Sequence, residues 1–209
     1  MTTRSLRHAR GALLALFACA QLVGCTPLLI GGAVVGGTMV ATDRRSAATQ
    51  LEDQLIESKA GSRVRELLGE RGRVTVTSYN RLVLLTGDVA TSSDKTAVEQ
   101  AVARVDTVRT VVNELAVTGS PSLSTSSNDT FLTTQVKASM VGAKGLYPST
   151  IKVVTERGIV YLMGRVTEQE ATRASNLARG VTGVNKVVRV FEILTEAELA
   201  AIEPGAAPR

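Results

Sequence analysis

Val74, Val76, Val83, Leu85, Gly87 and Val89 are matched in order, at one constant spacing, by Ile151, Val153, Val160, Leu162, Gly164 and Val166. Val105, Val108, Val111 and Val112 recur as Val181, Val184, Val187 and Val188, at a spacing shorter by a single position. Apolar positions that keep step through one lost residue mark a duplicated structural unit. The chain therefore folds as two copies of one small domain. An element assigned in one copy has to hold in the other.

The first copy opens with a polar segment, Asp43 to Glu70. Leu51 with Leu55, then Val64 with Leu67 and Leu68, fall at helix spacings. The helix ending near Leu68 is expected to bury the Val64, Leu67 and Leu68 face. The segment is expected to break at Gly61-Ser62, with Ser62 capping a second helix that stops at Gly69 or Gly72. Val74, Val76 and Ser78 alternate with threonines as in a strand, Asn80-Arg81 is a turn, and Leu82 to Leu85 return as a second strand. Ala97, Val98, Ala101, Val102 and Val105 give a helix, and Val108 to Val117 a last strand. The second copy runs likewise. A helix spans Asn128 to Ala143, with Asn128 or Asp129 as N-cap. A hairpin of Ile151–Glu156 and Ile159–Gly164 turns at Arg157-Gly158. A helix, Thr167 to Arg179, and a strand, Val184 to Leu194, complete it. Between the copies TGSPSLSTSS is a linker, since small polar residues, glycine and proline build no face to bury. Residues 196–209 are expected to be a tail, a short helical extension fraying into disorder.

Ahead of the copies, Arg4, Arg7 and Arg10 precede an apolar run from Gly11 to Gly24. That is a secretory signal, too short for the roughly 20 residues of a membrane span. Leu22-Val23-Gly24-Cys25 resembles the lipobox of bacterial lipoproteins. The resemblance implies cleavage before Cys25, a diacylglycerol on its sulfur and acylation of the new amino terminus. Thr26 in place of an aspartate then favours the outer membrane, facing the periplasm. Thr26 to Thr42, apolar and glycine-rich, is a flexible tether or a segment lying against the bilayer. The expected organisation is 1–24 signal peptide, 25–45 lipidated terminus and tether, 46–118 first domain, 119–127 linker, 128–195 second domain and 196–209 disordered tail.

Cleavage removes the three arginines of the signal, and the formal charge of +5 falls to about +2. With aromatics at 3% and no tryptophan, the basicity does not point to nucleic acid. The only histidine, His8, and the second cysteine, Cys19, leave with the signal. That removes Ser-His-Asp and Cys-His catalysis, most zinc sites and any internal disulfide. No catalytic residue, metal or cofactor is assigned. Glu168, Glu170, Glu196 and Glu198 read as solvated helix faces or ends, and an enzyme working through paired carboxylates is the least supported class.

Each copy, strand–turn–strand–Gly, helix, then a Gly-Val-x-x-Val-like return, resembles the BON domain. Leu82-Val83-Leu84-Leu85-Thr86-Gly87 and Ile159-Val160-Tyr161-Leu162-Met163-Gly164 carry the hairpin. Val181-Thr182-Gly183-Val184-Asn185-Lys186-Val187 carries the return, and Asp106-Thr107 replaces its glycine in the first copy. With the lipobox, Ser127-Asn128-Asp129-Thr130 and Thr155-Glu156, the whole is similar to the dual-BON outer-membrane lipoproteins of the DolP family. The fold implied is α+β, two tandem αββαβ domains, each with helices on one face of a small mixed sheet. The function implied is non-enzymatic: contact with anionic phospholipid through the second domain, support of the outer-membrane barrier, and enrichment at division sites.

In that family the lipid contact lies on the first helix of the second domain, with an aromatic just after Asn-Asp-Thr. Here it is Phe131 rather than tryptophan, an apolar wedge without the indole N–H that suits the headgroup zone. By helix spacing Leu132, Val136, Ser139 and Met140 form the core stripe. Phe131, Thr134, Gln135, Ala138 and Val141 form another, flanked by Lys137, which suits shallow insertion beside a phosphate. Read from the residues alone, Phe131 better suits a packing contact with the other domain or the linker; the resemblance reverses that. Gly87 and Gly164 are structural, needing positive φ or close approach. Arg173 and Arg179 are solvated positions that would extend a cationic surface. The alternative function is a periplasmic module that binds outer-membrane assembly, division or cell-wall factors by β-augmentation of an exposed strand edge.

Overall fold

The computed structural model describes residues 43–118 and 126–202, with side chains from residue 128 onward in the second stretch. The signal peptide, Cys25, the segment 26–42, most of the linker and residues 203–209 lie outside the described residues. The first copy consists of α1 (Ala47–Leu68), β1 (Gly72–Tyr79), β2 (Leu82–Val89), α2 (Ser92–Ala103), β3 (Thr110–Asn113) and β4 (Ala116–Val117). The second consists of α3 (Ser126–Met140), β5 (Ile151–Glu156), β6 (Ile159–Val166), α4 (Glu168–Arg179) and β7 (Lys186–Ile193), followed by α5 (Glu196–Ile202). Each hairpin is antiparallel, and each return strand lies parallel to the hairpin's second strand. This is the expected αββαβ arrangement, twice.

Several local expectations change. The helix Ala47–Leu68 is unbroken through Gly61, and Ser46 caps its start by accepting from Thr49 N. Its buried stripe is Ile56, Ala60, Val64 and Leu68, while Leu51, Leu55 and Leu67 are exposed. Tertiary burial of that stripe outweighs the small helix penalty of one glycine. The strand expected over Val108–Val117 is broken at Glu114-Leu115, where Leu115 turns into the core. Thr107, where the second copy has Gly183, takes φ +66°, so the first copy accepts backbone strain that glycine relieves in the other. The tail is helical over Glu196–Ile202.

Asp129 is not an N-cap. It lies inside α3, and its carboxylate accepts from Arg157 N (2.7 Å) and Gly158 N (2.8 Å), the two turn residues of the hairpin. Asp53, its counterpart in the first copy, does the same for Asn80 N and Arg81 N, both at 2.8 Å. In each copy one aspartate of the first helix therefore ties that helix to the hairpin turn.

The alternation of β2 and β6 serves two cores. Val83, Leu85 and Val89 face α1 and α2, and Val160, Leu162 and Val166 face α3 and α4. The opposite faces meet each other: Tyr79 and Leu84 of the first copy pack with Tyr161, Met163 and Val190 of the second. The layers are helix, sheet, sheet, helix. Burial on both faces explains why these strands are continuous apolar runs. Burial pushes the Tyr161 phenol up to about 12. A polar rim surrounds this seam, with Arg157 on Asp88, Asn80 on Glu192, and Lys152 Nζ 2.9 Å from Glu57.

Asp43–Arg45, expected as the end of a tether, belong to the fold. The fully buried Arg44 guanidinium makes a fork to Glu170 (2.7 and 2.8 Å) and donates to the Arg165 carbonyl at 2.9 Å. Glu170 is thus a buried ion-pair partner and a capping-box residue of α4, not a solvated helix face. Burial pushes its carboxyl up, but Arg44 and the Thr167 N–H outweigh burial and hold it below the ordinary 4.5. Glu156 is the reverse case: burial pushes its carboxyl up against the pull of Arg73, 3.8 Å away, and its Oε1 has no hydrogen-bond partner among the described residues. The depressed group stabilises the fold above 4.5, and that contribution is lost as pH falls through its folded value. The raised group contributes stability as pH falls through its raised value towards 4.5. Urea unfolding against pH should show both: Glu170→Gln loses stability at neutral pH and flattens the acid limb, whereas Glu156→Gln loses none at neutral pH and removes the gain above 4.5.

Candidate membrane-contact face

α3 is held to the second copy on one side only. Leu132, Val136 and Met140 are buried in or beside the α3/α4 core, and the Thr133 hydroxyl lies 2.8 Å from that of Thr155 on β5. Asp129, the only acid in α3, is turned inward onto the hairpin. What remains outward is Phe131, Thr134, Lys137 and Ala138, with Gln135 half-buried and Val141 just past the last turn. Phe131 is 60% exposed and Val141 70%, so Phe131 is not a packing residue between the domains. A phenylalanine left this open costs hydration free energy unless something covers it.

Beside this face lies α4. The loop after α3 turns at Gly142 and Gly145, both at positive φ. Arg173 of α4 donates from Nη1 to the carbonyls of Lys144 (2.7 Å) and Gly145 (3.0 Å). Lys137, Lys144, Arg173 and Arg179 are all exposed. The acid of α4 that points outward, Glu168, is 2.7 Å from Arg189, which holds its carboxyl below the ordinary value.

The first copy offers a comparison. Leu55 is the counterpart of Phe131 and is also exposed, as is Leu51. Its helix, however, carries Glu52, Glu57 and Glu66 among its cations, and Arg81 and Lys59 are engaged by Glu52 and Asp106. The apolar position is common to both copies, while a first helix with no outward acid belongs to the second. Ile56, one position beyond Leu55, holds the core place on this helix.

Gly87 and Gly164 stand at matched positions on the hairpins. Gly87 has φ +113°, and a Cβ there would lie 2.0 Å from the Arg73 carbonyl oxygen. At Gly164 a Cβ would lie 2.5 Å from the Thr150 carbonyl oxygen. Among the described residues no group of histidine, cysteine and carboxylates is placed to hold a metal ion, and no helix is long and apolar enough to cross a membrane.

Residues 52–119 and 128–195 each match the BON domain. The chain belongs to the BON-domain family. Within it, the two repeats sit in the dual-BON DolP family. The chain is 38% identical over 175 residues to Outer membrane lipoprotein DolP of Haemophilus influenzae, an alignment covering 83% of this BON protein and 90% of that one. It is 32% identical over 151 residues to the 21 kDa hemolysin of Actinobacillus pleuropneumoniae, covering 71% and 78%. Among solved structures, CdsD, a structural protein of the type III secretion system of Chlamydia trachomatis, aligns with 71% of this BON protein and 98% of its own chain. Identity is 11% and the TM-score 0.28, too low to establish a common fold. Membership of the BON family fixes the scaffold. The activity has to be argued from the outward face of α3.

Proposed function

We propose that this chain is an outer-membrane lipoprotein, anchored through acylated Cys25 and facing the periplasm. In this reading it contacts anionic phospholipid through the second BON domain and supports outer-membrane integrity without catalysing a reaction. The relative named Outer membrane lipoprotein DolP and the lipobox support the location. The observation that carries the lipid contact is the α3 face, where exposed Phe131 and Val141 flank Lys137 and the helix's one acid is turned away. An apolar wedge lowers its free energy by entering the acyl boundary, while a neighbouring cation stays at the phosphates. Acyl chains at Cys25 keep α3 at high effective concentration near the leaflet, so a weak contact is enough to sense its composition.

The test is vesicle co-sedimentation of the mature-length chain carrying Cys25→Ser, with anionic and zwitterionic lipid. Phe131→Asp should reduce anionic binding by at least about tenfold, the removal of a wedge worth roughly 1.5–3 kcal/mol. Its thermal stability should match the parent, because the side chain packs on little. Undiminished binding overturns the site. No binding by the folded parent chain favours a protein partner instead. For that reading the edge strands of the two sheets, β1 with β3 and β5 with β7, are the ones available for augmentation.

A further inference from the structure

Among the cations near α3, Arg173 differs from the rest because the structure builds a seat for it. Its Nη1 is held by two carbonyl oxygens, those of Lys144 and Gly145, in the loop that leaves α3. Gly145 has φ +67°, and a Cβ there would lie 2.5 Å from Arg173 Nη1. At that φ a side chain is disfavoured, and one placed there would push the exposed guanidinium aside. A planar guanidinium with five N–H groups that anchors through one nitrogen still presents Nε and Nη2 as a fork. Arg173 is exposed, as are Lys144 in the loop and Val141 at its start. Such a fork matches two oxygens of one phosphate.

We propose that Arg173, on the second helix of the second domain, is the headgroup-phosphate site of the membrane contact, seated by Gly145 and taking the phosphate of an anionic phospholipid. The inference rests on the lipid reading of α3 and adds to it a fixed polar contact beside the apolar wedge. Phe131 and Val141 then give insertion, and Arg173 gives selection for negatively charged lipid. A membrane leaflet is the favoured occupant because the loop that seats Arg173 leaves from the end of α3 that carries exposed Val141. The frame around them is cationic, with its outward acid, Glu168, already paired.

The test uses the mature-length chain with Cys25→Ser and vesicles of anionic or zwitterionic phospholipid. Arg173→Gln should weaken anionic binding about fivefold, the amount that roughly 1 kcal/mol per cation at an anionic surface represents. Zwitterionic binding should not change. Arg173→Lys keeps the charge but cannot hold both carbonyls and still form a fork, and should fall between the two. Gly145→Ala leaves every charge in place yet displaces the guanidinium, so it should reproduce most of the Arg173→Gln loss. An unchanged affinity for Gly145→Ala reduces Arg173 to one diffuse surface charge and overturns the built site. If Phe131→Asp abolishes binding while Arg173→Gln does not weaken it, this inference fails and the lipid reading stands. If Phe131→Asp has no effect, the lipid reading itself fails. Inorganic phosphate should not compete at matched ionic strength. Competition there would make the site one for free anions and overturn the membrane assignment.

Discussion

Gly87→Ala should cost about 3 kcal/mol or more, the sum of an unfavourable backbone region and a collision that the fold cannot relieve. At φ +113° an L side chain is strained whatever the space around it. The added Cβ would also meet the Arg73 carbonyl oxygen at 2.0 Å and the Val74 Cα at 3.3 Å, on the strand paired with Gly87. Both contacts are backbone, so relief requires opening the β1–β2 ladder. Gly164→Ala should cost less. Its collision with the Thr150 carbonyl at 2.5 Å lies at the start of β5, where a short turn is able to shift, and its φ is not in the positive region. For a folded part of this size 1 kcal/mol is roughly 2–4 °C, so thermal unfolding should separate Gly87→Ala from the parent by about 10 °C. Equal melting of the two alanine variants would contradict the asymmetry between the hairpins.

Asp53→Ala should be as damaging for another reason. The carboxylate accepts from Asn80 N, Arg81 N and the Ser78 hydroxyl, and pairs with Arg45 Nη1 at 2.8 Å. Asn80 and Arg81 both hold positive φ with neither a glycine, a turn that such residues enter only with compensation. Removing the acceptor strands two N–H groups at roughly 1–3 kcal/mol each, and takes from Arg45, stacked 3.9 Å over Tyr79, one of its two carboxylate partners, Asp43 being the other. A loss of about 3–5 kcal/mol follows. Asp129→Ala should lose less, since Gly158 takes its half of the turn without strain. Asp53→Asn, with one acceptor oxygen, should lie between Asp53→Ala and the parent. Amide exchange reads the mechanism directly: Asn80 and Arg81 should lose protection in Asp53→Ala before β2 does.

The repeat made much of this fold legible. Both hairpins, both return strands and the close approaches at Gly87 and Gly164 follow from apolar positions that keep step between the copies. The packing of the two domains also leaves a trace in the sequence. Leu82–Leu85 and Ile159–Met163 are continuous apolar runs, where a half-solvated strand would alternate. Leu51 and Leu55 fall at i, i+4, a spacing that identifies a stripe but not which stripe is buried. Ile56 with Ala60 has the same spacing, and the sheet beneath selects it. Asp53 and Asp129 share the spacing that relates the two first helices, a match visible only when acids are aligned along with apolar residues. Arg44 could not be placed from sequence, because its partner Glu170 lies 126 residues away. The outward side of α3 was legible by periodicity. The seat of Arg173 was not, since it depends on where a loop from one helix crosses another.

The sheet-on-sheet seam also governs how the protein comes into being. A chain made from its amino terminus completes the first domain's side of the seam near Val112, and the second domain's side only near Val190. Until the second stretch folds, Tyr79 and Leu84 belong to an apolar sheet surface with no mate, and the second domain's Tyr161, Met163 and Val190 are what covers it.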